Sequence, residues 1–255
     1  IYRNQLFHES AHSEVMLKTV MDITGRPMTP QPQKVARLWF PNYTAHTTPI
    51  HQDYVHFQGT YENLTCWAPV GDCPIELGGL AVLKGSHKVG KVLEHHFSLG
   101  AGSLMIESED YEALGLQWQT TNYGIGDTLI FPALTIHMAL PNVTEDRLRV
   151  SLDNRYQAIE DPIAEHMTEP HLASMSPFGW EEAYADWDSD EYKYYWKGLG
   201  LKVIPKDWSF SNKGFEEACE LARDGNEEAA HHLARQVKRA PNTEQARIAR
   251  KILAQ

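Results

Sequence analysis

The chain has 255 residues, 42% of them hydrophobic, and 34 Asp+Glu against 23 Lys+Arg give a formal net charge of −11. That length and apolar content suffice for one sizeable core, while the acidic balance argues against nucleic acid and anionic membrane surfaces as partners. No apolar run approaches the ~20 residues of a membrane helix, and three scattered cysteines (Cys66, Cys73, Cys219) make neither a disulfide framework nor a cysteine zinc site. The expectation is therefore a cytoplasmic protein with a small-molecule partner, no nucleic acid and no membrane. Its oligomeric state is left open, a homodimer included. The chain opens on Ile1 rather than methionine, which points to an upstream segment lying outside this sequence.

In chain order, residues 8–25 carry Val15, Leu17, Val20, Met21 and Ile23 at roughly helical spacing, with Gly25 as a stop. Past the proline-rich RPMTPQPQ (26–33) the period changes. KVARLWF (34–40), NLTCWAPV (63–70), GLAVLKG (79–85), LQWQTTNYG (116–124), TLIFPALTIHMAL (128–140) and LRVSLDNRYQ (148–157) are short and rich in β-branched and aromatic residues, with turn residues between them. That pattern predicts a mainly β sandwich or barrel, with Pro132 splitting its segment into two strands at a bend. From about residue 160 the character shifts. Residues 179–201 are dense in Trp and Tyr and read as packing beneath a helical tail, with a lid or a subunit contact as the alternatives. Residues 212–255 read as helical, broken near Gly225 and Pro241. The domain reading is a β domain over 1–210 and a helical extension over 211–255.

TPIHQDYVHF (47–56) places His51 and Asp53 two positions apart, so on a strand both point to one face. A pair cannot hold a metal, and most of the 13 histidines are poor third ligands. His87 sits in a turn, and the adjacent His95 and His96 cannot both face one site, so solvent is their expected place. His231 and His232 lie in a charged helix and read as exposed. His46 and His56 flank the motif as competitors. His137, in the apolar stretch LTIHMALPN, is the strongest candidate, although a lone core histidine is more often simply hydrogen-bonded. Arg149 and Ser151 then share a strand face, and a buried guanidinium needs an anion: either a bound carboxylate or an internal partner such as Asp153. Two histidines and one carboxylate make the facial triad typical of non-haem Fe(II) oxygenases. A dicarboxylate that chelates such an iron needs a cation at its far end, where arginine supplies a fork and Ser151 a hydroxyl.

At this point the chain resembles the phytanoyl-CoA dioxygenase family of Fe(II)/2-oxoglutarate oxygenases. The resemblance covers roughly residues 15–200 and rests on PIHQD (49–53), CWAPVGDCPIELGGLAVLKGSHK (66–88), GDTLIFPALTIHMALPN (126–142) and RVSLDNRYQ (149–157). It implies a double-stranded β-helix (jelly-roll, cupin-like), with His51, Asp53 and His137 as iron ligands and Arg149 clasping the distal carboxylate of 2-oxoglutarate. Trp67 and Thr48 match positions beside that cosubstrate. The implied reaction is hydroxylation of an unactivated C–H bond using O2, with release of succinate and CO2. Asp53 fills the carboxylate position and so disfavours halogenation. Three features depart from the pattern: Leu77 stands where asparagine is frequent, NVTEDRLR (142–149) is one residue longer than usual, which makes Arg147 a rival to Arg149, and nothing beyond residue 210 resembles the family core. The alternatives are a catalytically silent ligand-binding module and a cupin-type metal hydrolase or isomerase, for which a second anion clasp has no use. The acidic composition suggests no cationic cluster for a polyphosphate, hence a small carboxylate, amine or neutral substrate rather than an acyl-CoA.

Overall fold

The computed structural model describes residues 1–171 and 178–254. It opens on α1 (Gln5–Glu9) and α2 (Glu14–Thr24), the latter closed by Gly25 in the left-handed region at φ 67°. The predicted single helix over 8–25 is thus two, separated by a 3-10 turn at Ser10–His12.

The strands and short helices follow in order. They are β1 (Met28–Pro30), β2 (Val35–Trp39), β3 (His51–Gln52), α3 (Tyr54–Phe57), β4 (Leu64–Pro69) and β5 (Leu80–Leu83), then β6 (His96–Phe97), β7 (Leu104–Met105), α4 (Ser108–Glu112) and β8 (Trp118–Gln119). The β region ends with β9 (Leu129–Pro132), β10 (Ile136–Ala139) and β11 (Arg149–Ala158). β12 (Ile163–Ala164) pairs in parallel with β13 (Val203–Ile204) around α5 (Trp180–Tyr184).

Two antiparallel sheets carry the core. In the first, β11 is central: β4 pairs with one side of it, while β2 and β1 occupy successive stretches of the other, and β9 extends β4. In the second the order is β3–β10–β5–β8. Trp39, Trp67 and Phe131 of the first sheet and Leu80 and Ala139 of the second share one buried cluster, so the sheets face each other across it. β9 and β10 are consecutive yet lie in different sheets. The bend predicted at Pro132 is where the chain crosses from one to the other, and it delivers His137 to the second sheet.

β1 lies in the proline-rich stretch read as a break between periods. It pairs only at the outer end of β11, where a proline lacking a ladder N–H is tolerated. Leu77 is buried in the shared core cluster rather than merely altering a turn. Beside it, Gly78 has φ 84°, and a Cβ there would lie 2.7 Å from the Leu140 carbonyl oxygen. Gly78→Ala is therefore expected to cost about 1–3 kcal/mol, read as a lowered melting temperature; an unchanged one would mean that this loop relaxes freely.

The aromatic segment does not pack beneath the helical tail. Trp180, Tyr184, Trp187 and Trp196 form their own cluster, tied to the N-terminal region by Trp187 Nε1 donating to Arg3 O and Tyr195 Oη donating to Pro30 O. The tail is α6 (Ser209–Arg223), α7 (Glu227–Arg239) and α8 (Glu244–Leu253), interrupted at Gly225 and Pro241. It buries Phe215, Leu233 and Ile252 together. It docks on β6, where Glu217 accepts from Phe97 N and contacts His96 Nδ1. No helix is long and apolar enough to cross a membrane among the described residues.

Candidate active site

His51 and His137 are direct cross-strand partners of β3 and β10, which sets their ring centroids 4.2 Å apart. Each ring is aimed in the same way. Nδ1 of His51 lies 2.7 Å from Pro49 O, and Nδ1 of His137 lies 3.0 Å from Thr135 O, a backbone carbonyl two residues back in both cases. A carbonyl only accepts, so each Nδ1 carries the proton and each Nε2 offers a lone pair.

Asp53 joins them by a route different from the expected one. β3 ends at Gln52, and Asp53 already has helical φ −60° and ψ −27° at the start of α3. The turn, not strand alternation, carries its carboxylate back: Oδ1 lies 3.4 Å from His51 Nε2 and 3.6 Å from His137 Nε2. Oδ2 accepts from Thr65 Oγ1 at 2.5 Å and from Arg155 Nη2 at 3.0 Å, whereas buried Oδ1 has no hydrogen-bond partner. Burial pushes the Asp53 carboxyl up, but Arg155, His137 and His51 together hold it well below the usual carboxylate range. Burial also pushes the His137 imidazole down to about 3, keeping it neutral.

Three lone pairs thus converge with no proton between them, all ligand atoms within 4.8 Å of one another. Among the described residues no other three His, Cys, Asp or Glu side chains gather this way. The N,N,O set with supported outer partners fits a divalent transition metal.

The facing sheet presents β11. Arg149, Ser151, Asp153 and Arg155 alternate onto one buried face, opposite Trp39, Arg37, Trp67 and Thr65 of the flanking strands. Arg149 is 1% exposed; its Nη1 donates to Ser151 Oγ at 2.7 Å, and its Nε and Nη2 have no partner. The guanidinium lies 4.7 Å from the Trp39 ring centroid and 5.6 Å from that of Trp67. Burial pushes it down to about 10, still charged at neutral pH. Asp153 makes no direct ion pair with it: its Oδ2 accepts from Arg37 Nε at 2.6 Å, although its nearby charge favours the Arg149 cation. Arg147 is exposed and donates to Asp72 O at 3.3 Å. The long turn before β11 is absorbed at the surface: Asn142 Nδ2 bridges Trp39 O and Arg147 O. Trp67 is buried, with its indole N–H unpaired. Thr48 is buried beside Arg37, 3.5 Å from Nη1.

Some residues escaped the sequence reading. Thr65 and Arg155 support Asp53, and Arg155 was findable as the next member of the alternating face. His95, expected in solvent, is buried, and its Nε2 accepts from Gln52 N at 3.1 Å. His46 and His56 belong to no ligand group but line the cavity of about 960 Å³ that opens on His51 and Thr48. His232, expected to be exposed, lines it as well. So do Arg37, Lys206, Arg235 and Arg239, a cationic cluster that the composition did not suggest.

The family model for phytanoyl-CoA dioxygenase (PhyH) matches residues 3–150, more than half of the chain. The chain belongs to this family. Among curated proteins, 1-deoxypentalenic acid 11-beta-hydroxylase of Streptomyces exfoliatus is 33% identical over 116 residues, 43% of this chain and 41% of that protein. The enzyme of the same name from Streptomyces arenae matches to the same extent. The match therefore spans about two-fifths of the length of these relatives. Among solved structures, the non-heme alpha-ketoglutarate-dependent carbocyclase SnoK from nogalamycin biosynthesis superposes with a TM-score of 0.51 at 21% identity, covering 62% of this chain and 60% of that one. The epimerase SnoN, in complex with Fe3+, alpha-ketoglutarate and nogalamycin RO, gives 0.50 at 20% identity over 63% and 61%. At these identities the likeness is one of fold.

Proposed function

We propose that the chain is an Fe(II)/2-oxoglutarate-dependent dioxygenase that hydroxylates an unactivated C–H bond of a small organic substrate, releasing succinate and CO2. The observation that carries this reading is a pairing across one core. Three unprotonated ligand atoms converge on the second sheet, and a buried arginine with two unpartnered nitrogens stands on the first. His51, Asp53 and His137 would hold Fe(II) and leave coordination positions open. Arg149 and Ser151 would take the distal carboxylate of 2-oxoglutarate through a charge-assisted fork, beside Trp67 and Thr48. Bound there, the iron supplies the oxidising chemistry that couples cosubstrate decarboxylation to hydroxylation. The chain's own part is positional. Thr65 and Arg155 fix the Asp53 carboxylate, the Pro49 and Thr135 carbonyls fix both rings, and the buried cluster around Trp39 and Trp67 keeps water from the clasp.

We read the two facing sheets as the family's double-stranded β-helix, with residues 1–210 as the oxygenase domain and 211–255 as a helical extension. The experiment is succinate release from 2-oxoglutarate with Fe(II) in air, across a panel of small carboxylates and natural products. Turnover that requires Fe(II) and survives Arg147→Ala supports the reading. A protein that binds iron but never releases succinate would sink it.

A further inference from the structure

The cavity that opens on His51 has two unlike ends. Its buried end is formed by Thr48 and His51; its exposed end carries Lys206 and one face of α7, where His232, Arg235, Gln236 and Arg239 recur at three- and four-residue spacing. Among the described residues, neither Lys206, Arg235 nor Arg239 has a carboxylate within ion-pair distance. Lys206 instead lies 4.3 Å from the Trp208 ring centroid. Arg37, a fourth cation of the lining, is already paired with Asp153, and the carboxylate that the lining offers is Glu169. Glu228, earlier on α7, lines an adjoining groove together with Arg235. In a chain of net charge −11, so many unpaired cations around one cavity run against composition.

A second observation is independent of charge. His56 Nε2 and Gln236 Oε1 are buried, have no hydrogen-bond partner and belong to residues lining this cavity. Both residues also line the smaller pocket between α3, β7 and α6, so the unpaired atoms lie in the wall that the two spaces share. The α7 wall also lies outside residues 3–150, the stretch matched by the family model.

We propose that α7 is the substrate-recognition element of this protein. Arg235 and Arg239, one helical turn apart and aided by Lys206, hold an anionic group of the substrate, a carboxylate or a phosphate ester, while its carbon skeleton extends toward His51. The inference rests on the oxygenase reading only in taking His51 as the reacting end. Arginine pairs suit both anions because the guanidinium fork matches two oxygens at once. Amines are excluded by the same field, and neutral molecules gain nothing from it.

The test uses the full chain loaded with Fe(II) and 2-oxoglutarate under anaerobic conditions, titrated calorimetrically with octanoate, octyl phosphate and octan-1-ol, which share one tail and differ in the head. The two anions are expected to bind at least about tenfold more tightly than the alcohol, and the tighter of them identifies carboxylate or phosphate as the natural group. Arg235→Glu/Arg239→Glu should remove that preference while leaving the affinity for 2-oxoglutarate unchanged, and Arg235→Gln/Arg239→Gln should weaken it without reversing charge. Lys84→Glu/Lys88→Glu, exposed and outside the cavity lining, imposes the same change in net charge and should leave the preference intact. Binding of the alcohol as tight as that of the anions, no binding of any probe, or equal losses in the α7 and control variants would each overturn the proposal. Probe binding that depends on Arg235 and Arg239 in a protein that never releases succinate would leave it standing and overturn the oxygenase reading instead.

Discussion

Asp53→Asn abolishes tight metal binding while leaving the metal-free protein folded, and Asp53→Ala loses both; this pair of outcomes is expected from one carboxylate doing two jobs. Its Oδ2 accepts from Thr65 and from buried Arg155, and its unpartnered Oδ1 faces two imidazole lone pairs. An asparagine can keep the first set through its carbonyl oxygen and donate its amide N–H to the histidine Nε2 atoms. Metal-free stability then stays within about 1 kcal/mol of the parent. With ligand charge gone and the Nε2 lone pairs engaged, Fe(II) affinity falls by at least about a hundredfold, roughly 3 kcal/mol. Alanine instead leaves the Arg155 guanidinium, 1% exposed, without its counter-ion, which costs about 3–5 kcal/mol. Anaerobic Fe(II) titration and thermal unfolding of metal-free protein separate the two effects. Retention of Fe(II) affinity in Asp53→Asn, with its loss in His56→Ala, would reassign the ligand set.

Arg149→Met is expected to move binding and stability in opposite directions. The side chain is enclosed with Nε and Nη2 unpaired, and its one side-chain hydrogen bond goes to Ser151. In the absence of ligand its charge is a burden on the fold, so an apolar side chain of similar length leaves stability unchanged or raises it. The same change removes a bidentate charge-assisted contact to the 2-oxoglutarate carboxylate, and the dissociation constant should rise by about tenfold to a hundredfold or more. Calorimetric titration with 2-oxoglutarate and a denaturant melt give the two numbers. Lower stability with unchanged 2-oxoglutarate affinity would make Arg149 a purely structural cation.

Period and turn chemistry made much of this architecture legible. Short β-branched and aromatic runs between turn residues located β2, β4, β5, β9, β10 and β11 to within a residue or two, and Pro132 marked the crossing between sheets. β1 was hidden because Met28–Pro30 is an edge pairing in a proline-rich stretch, where local signals argue for a turn. His51 and Asp53 were rightly placed side by side, although by a turn into α3 that no two-residue periodicity encodes. His95 was misread because adjacency in sequence says nothing about the loop that buries it against Gln52. The cationic end of the cavity could not be read at all. Lys206, Arg235 and Arg239 look like ordinary surface charge until α6 docks on β6 and carries α7 across the mouth.

The single strand β11 also constrains how this site can be inherited. Arg149, Ser151, Asp153 and Arg155 owe their common orientation to a single strand entered from a turn whose length is pinned by Asn142. Point mutations can exchange these side chains one at a time, but an inserted or deleted residue that the turn fails to absorb slides the whole strand by one position. Every one of the four then points away from the core, and the anion clasp and the support of the metal carboxylate are lost in a single event. Length changes between Asn142 and Arg149 are thus compatible with the site only where, like the extra residue this chain already carries, the surface turn takes them up before the strand begins.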